Sequence, residues 1–449
     1  MKTQHEEHAS LTPSQHPAER RNVRASQRLL RSAVPFALAA GLCASAALAW
    51  GDDDDHKGGG AVKLLTTIPI PGTAMKTFDI SWVDASTRRY FLADRSNKAI
   101  DVIDTQTNKV VDQIPGNPPF AGATGNNDTS GPNGVVVSGH WLFVTDFPSR
   151  VATIDLNTRA TVSNLNTGGV NRADELAFDP QDNLILAVNN ADDPPFATLI
   201  NVNPTTGALS IKKKIVFAGS PAGAFPVGIN ATNGAEQPVW EPHTGRFYVS
   251  IPEINGPGGT GTMGAVARIN PSTGAVEALF SVSFCQPAGL TVGPKQDLLL
   301  GCSVAFDTAG KAWTLANPLT NPAATTAAPV SIIMDAKNGS IDKTVAGITG
   351  NDEVWFNPGD GRYYLAARAQ PGGPVLGVID AKSQKLLQVV PTVNQASVPT
   401  ASPQAGSAHS VAVDPHNNHA FVPLPTNNVF PNCLNGCVAV FGVPKQKHD

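Results

Sequence analysis

The chain has 449 residues, 15% charged and 41% hydrophobic, with 41 Gly, 37 Pro and a formal net charge of −4. So much Gly and Pro excludes a protein built on long helices and favours many short elements joined by turns. The mildly acidic balance offers no basic surface for nucleic acid.

Residues 1–49 are expected to be a cleavable export signal. Arg20, Arg21, Arg24, Arg28 and Arg31 precede the apolar run AVPFALAAGLCASAALA, which ends in Ala47-Leu48-Ala49, so cleavage falls before Trp50. An uncleaved anchor is the competing reading, but a run this short and rich in Ala and Gly is a poor membrane span. Arg20-Arg21 could open a twin-arginine signal, although RRNVRA lacks the apolar residues expected after the pair. Leu42 stands before Cys43 where lipid attachment needs a small residue. Losing these 49 residues removes six basic and three acidic side chains, so the mature charge is −7. The expected location is periplasmic or secreted, with no membrane association after cleavage. Residues 50–60, with DDDDH at Asp52 to His56 and three glycines at Gly58 to Gly60, read as a solvated leader, metal capture by that tail being the other reading.

From Tyr90 to Gly116 the stretch YFLADRSNKAIDVIDTQTNKVVDQIPG alternates apolar and polar residues through three strands and two turns. Its hairpin IDVIDTQTNKVVDQI recurs as VATIDLNTRATVSNL, ATLINVNPTTGALSI, AVARINPSTGAVEAL, SIIMDAKNGSIDKTV and VLGVIDAKSQKLLQV, with Asp104, Asp155, Asn203, Asn270, Asp335 and Asp380 starting the turns. Such short side chains bond their own backbone and initiate a turn. Ahead of each hairpin lies another strand pair around a turn marked by Asp84, Ser138, Asp179, Glu241, Gly293, Asn357 and Asp414, about 55 residues apart, the length of a four-stranded repeat. The seventh unit, VAVDPHNNHAFVPL then CVAVFGV, lacks a fourth strand, while VKLLTTIPI at Val62 to Ile70 has no unit of its own. Supplying that strand from the N-terminus leaves no open edge at the seam. The fold expected is all-β: a seven-bladed β-propeller over 61–445, followed by a tail at 446–449.

The stretch from Tyr90 resembles the repeat of the YVTN family of bacterial β-propellers through Ser96, Asn97, Val102, Ile103, Asp104, Thr105, Thr107, Asn108, Val110 and the closing Ile114-Pro115. The other units keep the hairpin and drift in the strand before it. The resemblance implies a lactonase-like frame whose first strands line a central channel, starting at the face that carries the fourth-to-first and second-to-third connections. The five longest connections fall on that face: GNPPFAGATGNNDTSGP, FAGSPAGAFPVGINATNGA, PTVNQASVPTASPQAGSA, PEINGPGGTGTMG and the segment Val304 to Val330. Long surface loops usually carry function.

Five residues before each turn marker stand Asp79, Asn133, Asp174, Glu236, Ala288, Asp352 and His409, a ring at the channel mouth flanked by Glu175, Gln237, Gln286, Asn351 and Glu353. Asp94, Asp146 and Asn189 end second strands beside it. Four carboxylates and an Asn in one ring repel unless something positive sits among them, and oxygen ligands suit a hard cation, calcium before magnesium. The arrangement is similar to the channel metal site of gluconolactonase and paraoxonase-like propellers, which are six-bladed and whose motifs are missing here. That likeness implies Asp79, Asn133, Asp174, Glu236 and Asp352 as metal ligands and His409 as general base. The competing reading is a wet channel whose polar residues only cap strand starts.

Among other features, Trp82, Trp240 and Trp355 read as blade packing, and GTGTMG at Gly259 to Gly264 opens no helix and so makes no phosphate loop. His416 and His419 belong to a turn on the opposite face. Four cysteines remain after export, expected as the disulfides Cys285–Cys302 and Cys433–Cys437. The function expected is an exported, monomeric binding propeller that holds a small molecule, a cation or a partner protein at its loop-rich face. The alternative is a calcium-dependent lactone or ester hydrolase at the same mouth.

Overall fold

The computed structural model describes residues 60–220, 222–256, 258–313, 330–392 and 408–445. The expectations for the export signal, the acidic leader before residue 60, the tail 446–449 and most of the loops 304–330 and 391–408 lie outside the described residues. Among the described residues no helix is long and apolar enough to cross a membrane.

The strands fall into four-stranded antiparallel meanders. The first comprises Ser81–Asp84, Arg89–Asp94, Ala99–Asp104 and Lys109–Pro115, and the second Val135–Ser138, Trp141–Asp146, Arg150–Asp155 and Ala160–Asn166. The third comprises Leu176–Asp179, Leu184–Asn189, Phe196–Val202 and Leu209–Val216. Glu236–Glu241, Arg246–Ile251, Met263–Ile269 and Val276–Ser283 make the fourth. Cys285–Val292, Asp297–Ala305, Val330–Asp335 and Ile341–Ala346 make the fifth, joined to the fourth by a single parallel pairing of Met263 with Cys285. The sixth is Val354–Asn357, Arg362–Ala367, Val375–Asp380 and Lys385–Pro391. In the last sheet Ala412–Asp414, His419–Leu424 and Cys437–Gly442 are completed by Lys63–Pro69, which pairs with the chain's final strand from Lys63 opposite Gly442 to Pro69 opposite Cys437. Each innermost strand packs against that of the next meander, and Ala412–Asp414 packs against those of the sixth and the first. This is the architecture of a β-propeller.

Local chemistry explains why the hairpins repeat. The Asp104 carboxylate accepts from the amides of Gln106 and Thr107, and the Asn203, Asn270 and Asp335 side chains do the same two and three residues on. Each turn needs one left-handed residue, supplied by Asn108, Arg159, Gly207, Gly274, Gly339 and Gln384. A one-residue register shift follows at the same place in six meanders, for instance between Val102 and Ile103 and between Val378 and Ile379. Such bulges sharpen the strand twist that stacked blades require.

The core lies between neighbouring sheets. Leu186 and Leu199 meet Phe247 and Val249 between the third and fourth, and Tyr90 meets Phe421 and Val440 between the first and seventh. Each fully buried side chain of this size stabilises by about 1.5–3 kcal/mol. Cys285 pairs with Cys302 on neighbouring strands, their Cα atoms 5.3 Å apart, and Cys433 with Cys437, 4.9 Å apart.

Candidate functional site at the channel mouth

Four of the ring positions share one backbone register, while the pairing shifts next to Glu236 and Ala288. The amides of Asp79, Asn133, Asp174 and Asp352 donate to the carbonyls of Ala93, Thr145, Val188 and Ala366 at 2.8, 2.9, 2.7 and 3.0 Å, each on the second strand of its own meander. Neighbouring meanders join at the same level: Ile80 N–H donates to the Asn133 carbonyl, Gly134 N–H to that of Asp174 and Glu353 N–H to that of His409. A side chain at this level therefore starts from the rim of the channel.

Positive charge stands among the carboxylates, and the chain supplies it. Arg95 pairs with Asp79 and donates to the Asn133 side chain at 2.7 Å and to the Asn127 side chain at 2.7 Å. Arg172 donates to Asp174 at 2.8 Å, lies 3.4 Å from Asp79 and shares the Asn127 oxygen at 2.9 Å. On the far side Arg368 meets Asp352 at 3.1 Å. His409 Nδ1 lies 3.4 Å from Asp352 and 3.9 Å from Asp79, its ring stacked on Phe78 at 4.9 Å. Arg95, Arg172, Asp79 and Asp174 are all buried.

The carboxyls differ in what surrounds them. Burial would raise Asp352, but Arg368 and His409 outweigh it and hold the group down at about 2. Burial pushes Asp174 up to about 7 against the pull of Arg172. Glu236, half-buried with only a 3.5 Å contact from Asn190, is raised to about 8 by burial and then by Asp174 and Asp352. Burial also lifts Glu175 and Glu353 well above the usual carboxyl range.

The remaining flanking residues serve other ends. Gln286 donates to Gly261 O at 2.8 Å and to the buried Glu253, which also accepts from Gly261 N–H and Thr232 and so pins the Gly-rich connection. Asn351 donates to Ser331 inside the sheet packing. The Gln237 oxygen accepts from Leu290 N–H and Val354 N–H, tying the fourth meander to the fifth and sixth. Asp94, Asp146 and Asn189 brace local turns through Asn97, Arg150 and Thr167. Ala288 adds no polar group to the ring.

Trp82 and Trp355 meet edge to face at 5.0 Å, whereas Trp240 rests on Phe247 at 4.9 Å. Trp240 stands one residue before its turn marker and the other two stand two before theirs, so the strand's two-residue period turns them to different faces.

Sequence reasoning missed Arg95, Arg172, Arg368 and Asn127. A signal for two of them was present. Arg95 and Arg368 each follow the second strand of a meander and stand sixteen residues after the ring Asp they meet. Four of the five expected calcium ligands, Asp79, Asn133, Asp174 and Asp352, are already engaged by guanidinium groups, while Glu236 is not, so the ring is a poor fit for a calcium ion. Among the described residues no group of three or more His, Cys, Asp or Glu is placed to hold a metal ion.

No protein-family model matches the chain, and no curated protein does. Among solved structures it is similar to hydrazine synthase of Kuenenia stuttgartiensis, with a TM-score of 0.56 and 12% identity, covering 85% of this chain and 99% of that one. At that identity the likeness shows the fold alone.

Proposed function

We propose that the chain is an exported seven-bladed propeller of the YVTN type, closed by its N-terminal strand, that binds a small polar molecule or a polar group of a partner at the mouth of its channel. The observation that carries this reading is convergence: Asp79, Asn133, Arg172, Asp352 and His409, from five meanders or the segments between them, meet in one network of ion pairs. Fixed donors and acceptors at a rim are what a binding site for a polar ligand needs. The signal expected at residues 1–49 and the paired cysteines favour an exported protein.

Hydrolysis needs more than this network. A general base at His409 would have to act with an electrophile, and the divalent ion assigned to that role is a poor fit for the ring. Melting temperature across a panel of polyols, carboxylates, amines and lactones tests the reading. Binding predicts a saturable rise for one class that Asp352→Asn weakens. Lactone or ester turnover abolished by His409→Ala would replace binding with hydrolysis, and a flat response to every class would remove the mouth as a site.

A further inference from the structure

The sixth meander repeats the charge pair of the first and leaves its arginine half-bonded. Asp79 and Asp352 hold the same register, each amide donating to the carbonyl two residues before an arginine, Ala93 ahead of Arg95 and Ala366 ahead of Arg368. The Arg95 side chain is 5% exposed and engages all three guanidinium nitrogens, Nη2 on Asp79 and Asn133, Nε on Asn133 at 3.1 Å and Nη1 on Asn127 at 2.7 Å. That of Arg368 is 47% exposed, and among the described residues only its Nη2 has a partner, Asp352 at 3.1 Å. The next ring position makes part of the difference. Asn133 offers Arg95 an amide oxygen, whereas His409 turns its Nδ1 to Asp352 Oδ2, 3.4 Å away, stacks on Phe78 and is not bonded to Arg368.

The two acids differ in the same way. The Asp79 side chain is 8% exposed and meets a second guanidinium, that of Arg172, at 3.4 Å. That of Asp352 is 20% exposed; its contacts with Arg368 and His409 both fall on Oδ2, and among the described residues no donor hydrogen-bonds Oδ1. Arg368 and His409 hold this carboxyl down at about 2, so it is charged at neutral pH. The backbone after Arg368 is fixed: Ala369 N–H donates to Gly350 O at 3.0 Å, and the Gln370 side chain donates to Gly347 O at 2.9 Å and accepts from Thr349 N–H at 2.8 Å. A reachable guanidinium on a pinned segment beside a reachable carboxylate is partly organised before a ligand arrives.

What completes the first copy specifies what completes the sixth. The guanidinium lacks the acceptor oxygens that Asn133 and Asn127 give Arg95, and the carboxylate lacks the second cation that Arg172 gives Asp79. A carboxylate and an ammonium on one carbon supply both, through charge-assisted hydrogen bonds. We propose that Arg368 and Asp352 form a site for the head of a free α-amino acid, its carboxylate on the free nitrogens of Arg368 and its ammonium on Asp352 Oδ1. This rests on the reading of the mouth as a binding site and names the chemistry of its ligand.

The test measures melting temperature and heat of binding of the purified chain at neutral pH with each common amino acid, and with acetate and methylammonium as the separate halves. Saturable binding of at least one amino acid is expected, with either half about tenfold weaker or more. Arg368→Gln should weaken that binding about tenfold or more, and Arg368→Lys, which keeps the charge and loses the planar fork, about threefold. Arg368 is half-exposed with a single partner, so both variants should fold, and Asp352→Asn should weaken the amino acid as Arg368→Gln does. Acetate or methylammonium binding as tightly as any amino acid, or an affinity unchanged in Arg368→Gln, would overturn the site. If a polyol or lactone binds with an affinity that depends on Asp352 while no amino acid binds, the amino acid falls and the mouth stands; if nothing binds, both fall.

Discussion

On the side of the mouth built around the first three meanders, Asp79 and Asp174 each face a guanidinium group, with Asn127 shared between Arg95 and Arg172. Elsewhere at the mouth Glu175 lies in the field of Glu353, Asp174, Glu236 and Asp352, and Arg368 is engaged with Asp352. Buried carboxyls are tolerated on both sides for different reasons. Counter-charge outweighs the desolvation cost at Asp352, retention of the proton offsets it at Glu236, Glu175 and Glu353, and Asp174, raised to about 7 despite Arg172, lies between them. A ring of similar residue types thus contains two chemistries.

The largest effect should come from removing the counter-charge. Arg172→Ala leaves buried Asp174 unpaired and Asp79 with Arg95 and His409, and should cost about 3–5 kcal/mol of stability in urea unfolding. A loss below about 1 kcal/mol would mean that the guanidinium is not what balances this side.

The second prediction concerns pH. Glu236 has its folded value, about 8, above the ordinary 4.5, so the stability linked to it is full below about 4.5 and is lost as pH rises toward 8. Glu175 and Glu353 act in the same direction, facing Asp174 and Asp352, while Arg172 opposes the rise in Glu236. Asp352 works oppositely: its stability is present above the ordinary 3.8 and lost as pH falls toward about 2. Melting temperature should therefore decline between pH 5 and about 8.5, and Glu236→Gln should flatten that decline. An equally steep decline in the variant would move its source away from Glu236.

A smaller effect is expected where the two sides touch. Ser410 donates to Glu353 and its oxygen accepts from Ser81 N–H at 2.9 Å, linking the sixth, seventh and first meanders. Ser410→Ala should lose about 1–2 kcal/mol, measured by urea unfolding, and an unchanged midpoint would leave that link without energetic weight.

What could be read from the sequence follows from what is local. The hairpins were legible because Asp104 and its counterparts organise each turn within three residues, and a fixed offset from the turn marker brought Asp79, Asn133, Asp174 and Asp352 to one register, while pairing shifts break that offset in the fourth and fifth meanders. Trp240 was grouped with Trp82 and Trp355 although it stands one residue and not two before its turn marker, and one residue reverses the face. Arg172 was missed because it sits on a connecting segment, where the repeat does not set side-chain direction. Arg95 and Arg368 were within reach, since each occupies one repeat position sixteen residues beyond its Asp. The need for positive charge was inferred from composition, and its source was sought outside the chain.

The most direct test of arginine, and not a metal, as the balance of the mouth is the metal content of the purified protein after dialysis, with its melting temperature measured with and without a chelator. The structure predicts no stoichiometric divalent ion and no shift. One equivalent of calcium, lost to the chelator together with a fall in melting temperature, would contradict it.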